Sequence, residues 1–423
     1  MSNFKESRSQ RHQRLRQKEK RKRTSKLRWL NRILALGVCA AAVLFFTTGT
    51  FKQMFWNENS HAQPPAPNKQ QHSSEQPHRD QQQGESNNVP NDNPTDSNDT
   101  HPITHEPINI IFAGDALMDW SVKETIRSKG PDYPFKYVAP AVTKADYAVV
   151  NLETAVTTHD QKDPNQLYNF KSDPISLKGI KNAGFDLVTI ANNHALDFKQ
   201  KGFLDTLNHL QDYQLPYVGG GKNAEEAYRA HEVTLKGKKI KFLAFSRFIP
   251  QTYWFAGPDH PGIAEAYNKS SVLPVIERER KDCDYLLVYM HWGVEKKNRP
   301  EPWQRTYARE IIDAGADAIV SSHVHVLQGF EYYKGKPIAY SIGNFLFPDY
   351  VRNDKADTGL LTLTLQDGEI AMQFDPYFIY KDQIIKKEPS YDKKQLHYLE
   401  SISYDVTIDG KQVKDAVKVN QHP

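Results

Sequence analysis

Asp115, Glu153, Asn193, His291, His323 and His325 lie far apart along the chain, yet they share one chemistry. Carboxylate, amide oxygen and imidazole are ligands for hard to borderline divalent cations. Each follows a short apolar run: Ala113-Gly114-Asp115, Val150-Asn151-Leu152-Glu153, Ala191-Asn192-Asn193-His194, Met290-His291-Trp292-Gly293, and the segment from Ala318 to Gly329 that carries His323 and His325. Polar groups that follow buried strands converge at one edge of an open α/β sheet. The six residues are enough for one or two divalent ions of Mn, Zn, Fe or Mg, and two adjacent ions can bind a phosphate-like group and activate water between them. His194 is placed to act as a general acid, because imidazole titrates near neutral pH. Asn192, Trp292 and Asn344 stand beside these groups and read as substrate contacts.

Each of these residues also has an ordinary use. Asp115 and Asp197 are typical helix N-caps, and Asn192 and Asn193 typical turn formers. Histidines at strand ends are often hydrogen-bonded core residues, and Trp292 and Phe345 suit packing. Lys296, Lys297 and Arg299 read as a solvated run that can also meet an anionic polymer.

The elements that would position these groups alternate. Strands are expected at 109–113, 147–152, 186–191, 216–219 and 285–290 and in the run from Ala318 that ends in the two histidines His323 and His325, with a hairpin over 233–245. Helices are expected at 120–129, 175–183, 202–213, 272–280 and 303–314. Strands alternating with helices predict an α/β fold. After Thr358 the pattern becomes alternating β, with a turn at Asp367-Gly368.

The 423 residues carry a net charge of +4, unevenly spread. Between Lys5 and Arg32 stand 13 Lys or Arg against 2 acids, which leaves the remainder near −7. Basic residues are thus not concentrated on the folded part, and a nucleic-acid partner is not expected. Residues 33–51 are uncharged and apolar, long enough to span most of a bilayer of about 30 Å. With the basic block before it, this run predicts a single-pass anchor with residues 1–32 cytoplasmic and the rest outside the cell. A cleaved signal peptide is the competing reading. Residues 52–106, rich in Gln, Asn, Ser, Pro and Asp, read as a disordered spacer. A folded domain is expected over 107–385, then a polar extension over 386–423. The two cysteines, Cys39 and Cys283, are not expected to pair.

With these motifs, and with His291-Trp292-Gly293-Val294-Glu295, His323-Val324-His325-Val326-Leu327-Gln328 and Tyr340-Ser341-Ile342-Gly343-Asn344-Phe345, the chain resembles the CapA/PgsA family of poly-γ-glutamate capsule proteins, which is itself similar to calcineurin-like metallophosphoesterases. The resemblance covers about residues 107–350. It implies a four-layer α/β/β/α sandwich and metal-ligand positions at Asp115, Glu153, Asn193, His291, His323 and His325. It also implies a role in making, exporting or anchoring an anionic polyglutamate, with membrane-embedded synthase subunits, the polymer and the lipid bilayer as partners. Asp119-Trp120 stands where family members often have Gly-Arg, and Ser321-Ser322 where Gly-His is usual. Two function classes follow. One is a metal-dependent hydrolase acting on a phosphate ester or amide. The other is a non-catalytic accessory that holds a synthase or guides its polymer.

Overall fold

The computed structural model describes residues 106–419. The predicted basic tail, membrane span and spacer lie outside the described residues, as does Cys39. Among the described residues no helix is long and apolar enough to cross a membrane.

The described chain begins on β1 (Ile108–Ala116) and continues through α1 (Trp120–Lys129), β2 (Tyr147–Leu152), α2 (Ser176–Asn182), β3 (Leu187–Thr189), α3 (Lys199–Asp212) and β4 (Tyr217–Val218). β1 to β4 pair in parallel in that order. A hairpin of β5 (His231–Leu235) and β6 (Lys238–Ser246) opens a second sheet. That sheet adds α4 (Lys269–Arg280), β7 (Tyr285–Trp292), α5 (Pro302–Asp313), β8 (Ala318–His323), β9 (Phe330–Tyr333) and β10 (Lys336–Ala339). Its order is β9-β10-β8-β7-β6-β5. The chain then returns to the first sheet. β11 (Asn344–Leu346) pairs with the end of β1, and β12 (Asp357–Gln366) runs antiparallel to β1. β13 (Glu369–Tyr380), α6 (Pro389–Ile402), β14 (Val406–Asp409) and β15 (Gln412–Asp415) follow.

The two sheets face each other across one apolar layer, because alternate strand residues point to opposite faces. Ile108, Ile110 and Phe112 of β1 meet Tyr285, Leu287 and Tyr289 of β7 there. The other face of the first sheet is covered by Val122, Ile126, Leu177, Ile180, Phe203 and Leu207 from α1, α2 and α3. The other face of the second is covered by Val272, Ile276, Tyr307 and Ile311 from α4 and α5. The expected mixed α/β class is therefore observed, with helices outside two inner sheets.

One expectation is corrected. The chain beyond Ile385 is not a polar extension. Leu396, Leu399 and Ile402 of α6 enter the layer between the sheets with Val406 and Val413, and β15 pairs with β13. The Lys and Asp residues around them hide this stripe from composition, although its helical spacing is regular.

Candidate metal centre

Parallel pairing sends β1, β2, β7 and β8 out at one end of the molecule, and every ligand candidate lies at that end. Strand parity decides which side chains turn inward. In β7, Tyr285, Leu287 and Tyr289 face the inter-sheet layer, so His291 does too, while Leu286, Val288 and Met290 face the helices. In β2, Tyr147 and Val149 set the same face for Asn151.

Two of the ligand candidates escape parity by local irregularity. The pairing of β1 with β2 slips between Ala113 and Asp115, and this bulge re-aims the aspartate. In β8, continued alternation would send His323 toward the helices. Its φ of 103° ends the extended run, and His325 follows with a φ of 61°. Positive φ is uncommon for residues other than glycine, and such strain concentrates at functional sites. Gly114 has a separate cause. A Cβ there would lie 1.9 Å from the Gly343 carbonyl oxygen, so only glycine lets β1 close onto the segment carrying Asn344.

The resulting cluster is dense and buried. His291 Nε2 lies 2.6 Å from Asn193 Oδ1, 3.1 Å from His323 Nδ1 and 3.5 Å from Glu153 Oε1. Asp115 Oδ1 accepts from Asn151 Nδ2 at 2.7 Å, and Asp115 Oδ2 accepts from the His323 backbone N–H at 3.0 Å. His325 Nδ1 hydrogen-bonds Asn344 Oδ1 at 2.9 Å and lies 4.0 Å from Asp115 Oδ2. Two sets of donors thus lie close enough to share an ion, Glu153 with His291 and His323, and Asp115 with Glu153 and His325.

The donor set fits a divalent cation. Both oxygens of the buried Glu153 carboxylate lack a hydrogen-bond partner. Buried polar atoms are seldom left so, because each costs about 1–3 kcal/mol. His291 Nε2 can give one proton to only one neighbour, yet Asn193 Oδ1, His323 Nδ1 and Glu153 Oε1 all crowd it. A positive ion among these atoms would satisfy all of them. Charge balance points the same way. Burial, reinforced by Asp115, Glu295 and Asp197, pushes Glu153 well above the usual carboxylate range. Burial likewise raises Asp115 despite His325 and its hydrogen bonds. Burial, with repulsion from neighbouring histidines, holds His291 and His323 well below the usual imidazole range. Metal ligands must be deprotonated, and a cation supplies the charge that opposes the burial penalty on the carboxylates.

His194 stands beside the cluster. Its Nδ1 hydrogen-bonds Asp197 Oδ2 at 2.8 Å, and Asp197 also accepts from the Phe170 backbone N–H at 2.7 Å. Asp197 therefore orients His194. With Nδ1 engaged, Nε2 remains for chemistry. His194 and His325 both line a cavity of about 250 Å³.

Of the expected substrate contacts, Asn344 lines this cavity and also orients His325. Asn192 is a brace: it donates to Asn151 Oδ1 and the Leu152 carbonyl, and accepts from the His194 backbone N–H. Trp292 is corrected. Its parity is that of Met290, so its indole is fully buried among Trp303, Tyr307 and the outer helices, away from the cluster.

Sequence reading missed Asn151, which ties Asp115 to Asn192, and Phe248, whose ring stacks 4.2 Å from the His323 ring. Parity with Tyr147 and Val149 was the available signal for Asn151. Nothing local marks Phe248.

The chain is similar in sequence to several known proteins. The capsule biosynthesis protein CapA of Bacillus anthracis is 33% identical over 284 residues, 64% of this chain and 68% of that protein. The PGA biosynthesis protein CapA of Bacillus subtilis is 34% identical over 249 residues, 57% of this chain and 63% of that protein. A probable polyglutamine synthesis accessory protein of Mycobacterium tuberculosis is 27% identical over 240 residues, 53% of this chain and 63% of that protein. The chain spans about two thirds of the length of these relatives. The model of the bacterial capsule synthesis protein family PGA_cap matches residues 109–349, which include every ligand candidate, and the chain belongs to that family.

Proposed function

We propose that this chain is a membrane-anchored accessory of poly-γ-glutamate synthesis, export or anchoring, and that its domain works outside the cell through a divalent-metal centre of metallophosphoesterase type. The observation that carries the proposal is the Glu153 carboxylate, buried without a donor and aimed at His291 and His323. Residues 33–51 would form the anchor, with the N-terminus cytoplasmic and membrane-embedded synthase subunits as neighbours. The acidic balance of the chain beyond Arg32 would repel a polyanion at long range. A cation at the cluster reverses that field locally.

Asp115, Glu153, Asn193, His291, His323 and His325 would hold the ion. A divalent ion there supplies Lewis-acid polarisation of a phosphoryl or acyl oxygen. The protein's own residues do the rest. Asn151 and the His323 backbone N–H fix Asp115. Asn344 fixes the His325 ring. Asp197 fixes His194, which can hand a proton from Nε2 to a leaving group in the cavity. This dyad favours a second reading, a hydrolase acting on a phosphate ester or amide of another envelope polymer.

The test is metal analysis of the purified full chain together with polymer output of cells carrying His323→Ala. Bound divalent metal, lost in the variant along with polymer, supports the proposal. A wild-type chain that takes up no divalent metal, or a variant that makes normal polymer, overturns it. Turnover on phosphodiesters with normal polymer output would favour the second reading.

A further inference from the structure

The cavity beside the cluster has a wall of a different character. Trp120, Tyr168 and Tyr350 line it, although these side chains remain 46%, 56% and 50% exposed. Trp120 packs against Phe170 and Tyr350, at ring separations of 5.2 and 5.3 Å. Lys296 and Lys355 line the same cavity. Neither ammonium has an acidic partner or a ring beneath it among the described residues, whereas Lys123 and Lys171 are paired with Asp173 and Asp160. Glu295 is the acidic group in the wall.

The backbone holds this wall in place. Trp120 and Lys296 have φ values of 51° and 65°, in the left-handed region that His325 of the same cavity also occupies and that side chains rarely adopt. The Lys296 backbone N–H donates to the Val324 carbonyl at 2.8 Å, between His323 and His325. Asn344, which orients His325, donates to the Lys355 carbonyl at 2.9 Å. Each lysine is thus tied by main chain to a ligand-bearing segment.

We infer that this cavity is a recognition subsite for a chain of amide-linked units bearing carboxylates, with Lys296 and Lys355 each taking one carboxylate and the aromatic wall taking the methylenes and amides between them. The inference rests on the function proposed above and assigns the residues that would read the polymer. A phosphate ester alone would not need three open aromatic faces. A neutral polyamide would not need two unpaired ammonium groups. The two lysines outweigh Glu295, so the wall carries a net positive charge. Aromatic rings present a large contact area at low cost in lost rotamer freedom.

The test uses the full chain and two probes, a γ-linked glutamate oligomer and its neutral γ-linked glutamine counterpart, titrated calorimetrically with and without added Mn²⁺. The double variant Lys296→Gln/Lys355→Gln is expected to weaken glutamate-oligomer binding by about fivefold or more in both conditions, and to leave glutamine-oligomer binding unchanged. Lys296→Arg/Lys355→Arg restores the glutamate preference. A smaller loss in the double glutamine variant, with the wild type binding normally, overturns the subsite and leaves the capsule function standing. A wild-type chain that binds neither oligomer also overturns the subsite, while the capsule function is decided by the metal and polymer measurements above. The substituted groups are at least partly exposed and hydrogen-bond to no other described side chain, so folding is not at stake.

Discussion

Asn193 Oδ1 lies 2.6 Å from His291 Nε2 and joins the loop after β3 in one sheet to the end of β7 in the other. A carbonyl oxygen and an imidazole nitrogen at this distance need a proton or a cation between or beside them. Since His323 Nδ1 and Glu153 Oε1 crowd the same nitrogen, the pair reads as two apices of one coordination sphere. Asn193→Ala should lower divalent-metal affinity by about ten- to a hundredfold, measured by competition with a fluorescent chelator. Affinity equal to wild type would remove Asn193 from the ligand set.

Glu153 links the centre to pH. Its carboxyl is held well above the ordinary value of 4.5, so the folded, metal-free protein binds this proton more tightly than the unfolded chain does. That contribution to stability is complete below about pH 4.5. It fades as pH rises through the folded-state value. His291 and His323, held low by burial, act in the opposite sense: their contribution is present above about pH 6.5 and is lost as pH falls. Comparing chelator-treated wild type with Glu153→Gln isolates the carboxyl. Between pH 5 and pH 8 the variant should gain about 1 kcal/mol or more relative to wild type in urea melts. Parallel stability curves for the two proteins would show that Glu153 is not desolvated in the folded state.

The His194–Asp197 pair separates orientation from metal binding. Asp197→Asn keeps the shape but no longer favours the proton on His194 Nδ1. If the domain turns over a phosphodiester or an amide, kcat should fall by about a hundredfold or more, with bound metal unchanged and the pH profile displaced. A parallel loss of metal would mean that Asp197 supports the whole loop instead of one imidazole.

The sequence showed these groups through their contexts. An apolar run followed by Asp, Asn-x-Glu, Asn-Asn-His or His-Trp-Gly is a local signal, and strand ends do gather in an α/β fold. Three kinds of information were not local. The bulge before Asp115 and the positive φ of His323 break the alternation that would otherwise say which way a side chain points. The burial of Trp292 follows from parity with Met290, but only once the face toward the helices is known. The residues that close the cavity, Trp120 at the start of α1 and Tyr168 and Tyr350 in two loops, are distant in sequence and brought together only by folding.

The C-terminal segment tests how far the fold extends. α6 buries Leu399 completely in the layer between the sheets, and β15 pairs along β13. Leu399→Ala should destabilise the protein by about 2–4 kcal/mol, through lost apolar transfer and the cavity left behind. Ending the chain after Ile385 should yield an aggregating product, since the uncovered face of that layer is apolar. A soluble truncated protein with an unchanged unfolding transition would restore the reading of this segment as an appendage.

Glu331 offers a pH signature away from the metal centre and with the opposite sign to Glu153. It stands in β9, where burial alone would raise its carboxyl, but hydrogen bonds from Arg305, Arg309 and Tyr340 outweigh burial and hold it below the usual range. Its contribution to stability is therefore present above the unfolded value of about 4.5 and is lost as pH falls through the folded one. Arg309 is 42% exposed, so solvent weakens that side of the network, and the expected effect is modest. Glu331→Gln should lower stability by about 1–2 kcal/mol near pH 7, with the gap to wild type closing toward pH 3. Thermal melts across that range decide it: a gap independent of pH would mean that packing of the side chain, and not its charge, holds α5 against β9.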